Sequence, residues 1–242
     1  MKMWRFLMPR NLGFTLKNAG HALVDKVKGN PPRPIMAAQY VRAHAIQGDP
    51  VSVLDCLDTF ARTQRWLMSV GPEKGPLIQE LAGRLPASPR VLELGAYCGY
   101  SAILLASRYG PDAKIVSVEV NRQCVEAARD NIAFAGLAEQ VTVIHAPSDK
   151  AIDTLDGQFD LVFLDHWKDL YLPDLQKLEL RSLVDTGTIV VADNVGEIFG
   201  AEPYLEYVRS CGRYTSENRP ATIEYTTLAD AVEISTFTGS DA

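Results

Sequence analysis

From Arg90 to Asp193 one pattern repeats: a short apolar run ending on a polar residue, then a stretch with helical spacing. "RVLEL" precedes a helix expected over Tyr100 to Tyr109. "KIVSVEV" precedes one beginning near Asn121, and "QVTVIHA" a short helix capped at Ser148. "DLVFLD" and "TIVVAD" precede helices expected around Leu172 to Arg181 and Pro203 to Cys211. Short runs apolar on both sides, alternating with helices, specify a parallel sheet covered on both faces. The end differs. "TIEYTTL" and "AVEISTF" are joined by too little chain for a crossover, so they are expected to pair antiparallel.

Upstream, Asp49-Pro50 reads as an N-cap followed by proline at the first helical position. Val53, Leu54, Leu57, Phe60 and Ala61 then form an apolar stripe, and Leu77, Ile78, Leu81, Ala82 and Leu85 form another. "KGNPPRPIM", with three prolines, reads as a linker, so residues 1–33 are expected to be an arm and residues 34–242 a single domain.

Charge divides at the same place. Residues 1–33 hold seven lysines and arginines against one aspartate; the whole chain is at −6, so the remainder is at −12. An acidic body excludes general nucleic-acid binding. In the arm, Leu12, Leu16, Ala19, Leu23 and Val27 fall on one helical face, with Lys17, His21 and Lys28 elsewhere. A basic amphipathic helix can lie on a membrane surface, but packing on the body or fraying is the expectation. "MKMWRFLMPRNLGF" is too short and interrupted for a signal peptide or membrane span. The four cysteines form no C-x-x-C pair and no ligand spacing with the four histidines, which points to a reducing, cytoplasmic setting without zinc.

In open α/β sheets, ligands bind beyond the carboxyl ends of the strands. Glu93 and Gly95, Glu119, Ser148, Asp165, and Asp193 with Asn194 occupy those ends in order. Gly95 and Gly99 in "ELGAYCGYS" let backbone approach a ligand, yet Tyr97 stands where a G-x-G-x-x-G turn needs glycine. Glu119 falls where an acid binds ribose hydroxyls, although an acid there can equally cap the next helix. Together these favour an adenosine cofactor without pyrophosphate, and S-adenosylmethionine fits.

Asp165, Asp193 and Asn194 offer hard oxygen ligands from adjoining strand ends, a set suited to magnesium. "ADN" alone would be an ordinary turn; Asp165 beside it favours the metal. Lys168, three residues beyond Asp165, would have its ammonium form disfavoured beside a dication and a partly buried Trp167. It could then take a proton from a metal-acidified hydroxyl, with Trp167 as a wall of the substrate slot.

"GDPVSVLDCLDTF", "VLELGAYCGYSA", "AFAGL", "VFLDHWKDLYLPD" and "VADNV" closely resemble the catechol O-methyltransferases, in order from about Gln39 to Gly239. The resemblance implies a Rossmann-like seven-stranded mixed sheet with the last strand antiparallel and helices on both faces. It implies methyl transfer from S-adenosylmethionine to one oxygen of a small catechol-type phenol, with magnesium on Asp165, Asp193 and Asn194 and Lys168 as general base. Glu224 matches the acid that holds the second hydroxyl. Val70 and Ser101 match contacts at the methionine end, Glu93, Gly95 and Tyr97 lie beneath it, Glu119 and Val120 fall at the ribose and adenine face, and Ser148, Asp149, Asp165, His166 and Trp167 complete the cofactor set. Trp66 and Met68 match the substrate gate; Asp165, Trp167, Lys168 and Asn194 also face substrate. A monomer is expected.

Departures from that family fall on fit. Ser69 stands for Asn, Asp149 for Gln and Val120 for Met, and "GEIFGAEP" lacks the gating proline, Ile198 lying nearest. They leave open another vicinal-diol phenol as acceptor and which oxygen is methylated. A catalytically silent S-adenosylmethionine-binding protein, the other alternative, would be expected to lack the metal ligands or the base, and all are present. An oxidoreductase would leave Asp165, Lys168, Asp193 and Asn194 without work.

Overall fold

The computed structural model describes residues 12–239. Seven strands, β1 (Arg90–Leu94), β2 (Lys114–Glu119), β3 (Val141–His145), β4 (Leu161–Leu164), β5 (Ile189–Ala192), β6 (Tyr214–Thr222) and β7 (Ala229–Phe237), form one sheet. Their order is β3-β2-β1-β4-β5-β7-β6. β1 to β5 pair in parallel, and β7 runs antiparallel to both β5 and β6.

Successive strand residues point to opposite faces, and both are buried. Val91, Phe163 and Val191 pack under α2 (Arg33–His44), α3 (Pro50–Thr63), α4 (Gly71–Glu80), α5 (Tyr100–Tyr109) and α6 (Arg122–Phe134). Leu92, Val162 and Val190 pack under α7 (Ser148–Ile152), α8 (Tyr171–Leu180) and α9 (Glu202–Ser210). The Asp49 carboxylate accepts from the amides of Val51 and Ser52, capping α3 as expected.

Three sequence expectations need correction. "TIEYTTL" is not a strand: β6 is the polar "YTSENRPAT" before it. β6 lies at the sheet edge, where exposed polar residues and Pro220 are tolerated, while the alternating Ile223 and Tyr225 belong to the turn into β7. Tyr225 there has φ 59°, which breaks a strand. The linker is also shorter than expected, because Pro32 N-caps α2 and Pro34 lies in its first turn. Ser148 is the first residue of α7, with Pro147 at the N-cap.

The arm forms α1 (Leu12–Lys28). It meets the body by its polar side: Arg65 makes a forked ion pair with Asp25, and Arg33 donates to the Asn18 side chain and backbone. The apolar stripe faces outward, with Leu16, Leu23 and Val27 exposed. Among the described residues no helix is long and apolar enough to cross a membrane.

Candidate functional site

Gly95, directly after β1, has φ 109°, and a Cβ there would lie 2.5 Å from the carbonyl oxygen of Asp165. Only glycine lets the ends of β1 and β4 approach this closely. Met68, Gly95, Tyr97, Ser101 and Asp165 line one cleft at that junction. Glu93 and Ser101 are buried beneath it; Glu93 accepts from Ser117 and Ser101, and its Oε1 is unpartnered. Burial raises its carboxyl to about 7, against those hydroxyl bonds. Val70, fully buried, precedes α4.

The Glu119 carboxylate accepts from the amides of Tyr97 (2.9 Å) and Asn121 (2.8 Å), tying the ends of β1 and β2 together. It therefore also acts as a local cap. Val120 beside it is exposed. Ser148 and Asp149 open α7 beyond β3. His166 Nε2 is 2.8 Å from Asp174 Oδ2, joining the β4 end to α8. Burial lowers the basicity of this imidazole, with Asp174 opposing.

Trp167 is 62% exposed, not the partly buried wall expected. The aromatic surface against Lys168 comes instead from Tyr171 and Phe199, whose ring centroids lie 4.7 and 5.9 Å from Nζ. Lys168 Nζ also lies 2.5 Å from the Tyr171 hydroxyl, 3.2 Å from Asn194 Oδ1 and 3.5 Å from Asp165 Oδ1. The Tyr171 hydroxyl in turn reaches the carbonyls of Leu164 (2.7 Å) and Asp193 (2.9 Å). With its proton committed to them, its oxygen accepts from Lys168.

Because β7 is reversed, its beginning lies beside the carboxyl end of β5. Asp230 and Glu224 thereby join Asp193 and Asn194. Asn194, at φ 52°, donates through Nδ2 to Asp230 (2.8 Å) and Glu224 (3.3 Å), which turns Oδ1 toward Lys168. Lys74 of α4 is fully buried, its Nζ 2.6 Å from Asp193 Oδ1, 2.5 Å from Glu224 Oε1 and 2.7 Å from Asp230 Oδ2. Burial opposes its charge, but the three carboxylates outweigh this and hold it well above the usual lysine range.

Sequence reading missed Lys74, Asp230 and Tyr171. A lysine between two glycines in "GPEKGP" gives no pattern of burial. Asp230 was detectable only if the start of an antiparallel last strand had been counted with the parallel strand ends.

Burial raises Asp165 well above the usual carboxylate range; Lys168 opposes this, and Asp193 and Glu224 reinforce it. Glu224 is raised to about 7 by burial, against Lys74 and with Asp193. Asp193 Oδ2 and Glu224 Oε2 are buried without a partner. With all six groups ionised, as a bound cation would favour for the acids, four carboxylates (Asp165, Asp193, Glu224, Asp230) against two ammoniums (Lys74, Lys168) leave an excess of two negative charges. An excess of that size, with orphaned oxygens, fits one divalent cation. Beside the acids, Ile198, Phe199 and Ile223 pack with Trp66 and Leu228, and the Trp66 indole donates to the Glu224 carbonyl (2.9 Å).

The O-methyltransferase family model matches residues 48–202. Over 212 residues the chain is 40% identical to catechol O-methyltransferase B of Danio rerio, covering 86% of this chain and 80% of that protein. It is 38% identical over 207 residues to catechol O-methyltransferase of Bos taurus, covering 83% and 75%. Among solved structures, a Bacillus cereus O-methyltransferase in complex with SAH superposes with a TM-score of 0.67 at 20% identity, covering 83% of this chain and 96% of that one. Streptomyces achromogenes TomG, in complex with SAM, gives 0.63 at 24%, covering 92% and 97%. The superpositions establish the shared fold, and the sequence matches establish more: the chain belongs to the O-methyltransferase family, among the catechol O-methyltransferases.

Proposed function

We propose that this S-adenosylmethionine-dependent O-methyltransferase methylates one oxygen of a small catechol, with magnesium on Asp165, Asp193 and Asn194 and Lys168 as general base. The observation that carries this reading is that Lys168 Nζ lies within 3.5 Å of both Asp165 and Asn194, and that the neighbouring Asp193 Oδ2 and Glu224 Oε2 are buried without a partner. Magnesium, when bound, would hold both hydroxyls of the diol and make one of them more acidic.

The chain's own residues supply the rest. An amine at Lys168 can donate to Tyr171 and Asn194 and keep its lone pair for the phenolic proton. Glu224 Oε2 is available to the second hydroxyl. Trp66, Met68 and the Ile198–Phe199 wall suit a flat aromatic ring. Gly95, Ser101, Glu93 and Glu119, with Val70 beside them, suit the donor's aminoacyl and ribose groups. Holding the sulfonium methyl in line with the oxygen can supply about 7–11 kcal/mol of the barrier reduction.

The test is methyl transfer from labelled S-adenosylmethionine to a simple catechol, with magnesium and with chelator, alongside Lys168→Ala. The expected result is product that needs magnesium and falls about 10²–10⁴-fold without Lys168. Cofactor binding without product on any catechol would overturn the acceptor.

A further inference from the structure

Lys74 is unusual for a lysine. Its ammonium is wholly buried, and Nζ lies 2.5–2.7 Å from three carboxylate oxygens, one for each of its hydrogens. Asp193, Glu224 and Asp230 are also the one group of acids among the described residues arranged to close around a metal ion, with a ligand atom of each within 4.8 Å of the others. The ammonium therefore stands where a cation could stand.

We propose that Lys74 is a positioning residue that replaces a second metal ion, fixing the active site at one divalent cation. This rests on the magnesium reading above. Lys74 occupies Asp193 Oδ1 and Glu224 Oε1, leaving Oδ2 and Oε2, both unpartnered, for the bound ion and the acceptor. It also takes Asp230 Oδ2, while Asp230 Oδ1 accepts from the Gly196 amide, so Asp230 has no oxygen to spare for a metal.

Charge and size decide between the two occupants. With Lys74 the excess of two negative charges matches one dication; without it the excess is three. Calcium takes carboxylate oxygens at roughly 2.3–2.6 Å, close to the spacing the ammonium already imposes. A covalently tethered cation cannot dissociate, so the carboxylates keep their positions whether or not the exchangeable metal is bound.

The experiment is manganese binding to the full chain, followed by the paramagnetic resonance of free Mn²⁺, for the parent, Lys74→Met and the double variant Lys74→Met/Asp230→Asn. Methionine keeps the length and removes the charge; asparagine at 230 restores the balance. The parent is expected to bind one ion, Lys74→Met two, and the double variant one. Manganese should also raise the melting temperature of Lys74→Met more than that of the parent. A folded Lys74→Met chain that binds one ion with unchanged affinity overturns the proposal. So does one that stays unfolded at millimolar manganese, since a dication should replace the ammonium. A parent that binds none while Lys74→Met binds one upholds the role of Lys74 and overturns the magnesium reading; no binding by either overturns both.

Discussion

Asp193 and Asn194, neighbours in the chain, face different ammonium groups: Asp193 Oδ1 lies 2.6 Å from Lys74 and Asn194 Oδ1 3.2 Å from Lys168. The left-handed backbone of Asn194 makes this division. Asparagine tolerates that conformation better than most residues, and its Nδ2 still reaches Asp230. Asn194→Ala and Asn194→Gly both lose the amide, but only alanine keeps the backbone cost. Urea unfolding should place Asn194→Ala about 1 kcal/mol below Asn194→Gly. Equal stabilities would mean that the conformation costs nothing here.

Tyr171 secures Lys168 from below while holding the carbonyls of Leu164 and Asp193. Tyr171→Phe keeps the ring but takes the hydroxyl from the Asp193 carbonyl, while that of Leu164 keeps the Asp193 amide at 3.0 Å. Chemical denaturation should show a loss of about 1–3 kcal/mol. Methyl transfer should fall with it, through the turnover number more than through KM, because the change displaces the base and leaves the acceptor wall in place.

Glu93 gives stability a pH dependence of its own. Its carboxyl stands at about 7 when folded against 4.5 ordinarily, so between those values the folded chain holds a proton that the unfolded chain has lost. Stability therefore falls as pH rises through this window. Glu93→Gln removes the effect: measured without cofactor, its stability relative to the parent should grow by about 3 kcal/mol from below pH 4.5 to above pH 7. A constant difference across that range would show that the carboxyl titrates normally.

Gly95→Ala places a methyl 2.5 Å from the Asp165 carbonyl oxygen, against backbone rather than a side chain that could swing aside. A positive φ adds strain. The melting curve should reveal a loss of about 3 kcal/mol or more. S-adenosylmethionine affinity, read by calorimetry on whatever remains folded, should fall too.

α1 is tied on by the Arg65–Asp25 fork and by Arg33. Arg65→Ala should speed hydrogen exchange across Leu12–Lys28 and leave α3 unchanged. Global stability should move by less than about 1 kcal/mol, as for other ion pairs near water. A matching loss of protection in α3 would mean that α1 is part of the cooperative core.

The parallel strands and their helices were legible because short apolar runs such as "LVFL" and "IVVA", alternating with helical stretches, specify strands buried on both faces. Asp165, Lys168, Asp193 and Asn194 were legible because they lie on or just after those runs. β6 was not, because an edge strand has little buried face to impose a pattern, and its polar composition resembles a loop. α2 was hidden by prolines that mark a helix start as well as a linker. Lys74 was hidden for a different reason. Its burial is decided by three acids more than a hundred residues away, a long-range charge balance with no local signature.

The reversal of β7 separates the site into two halves of different origin. β1, β2 and β4 bring Glu93, Gly95, Glu119 and Asp165 through parallel strands locked on both sides. Glu224 arrives on the turn between β6 and β7, and Asp230 at the start of β7, two antiparallel strands of which β6 lies at the sheet edge. Changes in that turn can reshape one wall without unpicking a strand crossover. Such a scaffold lets selection alter what is received while conserving what is given.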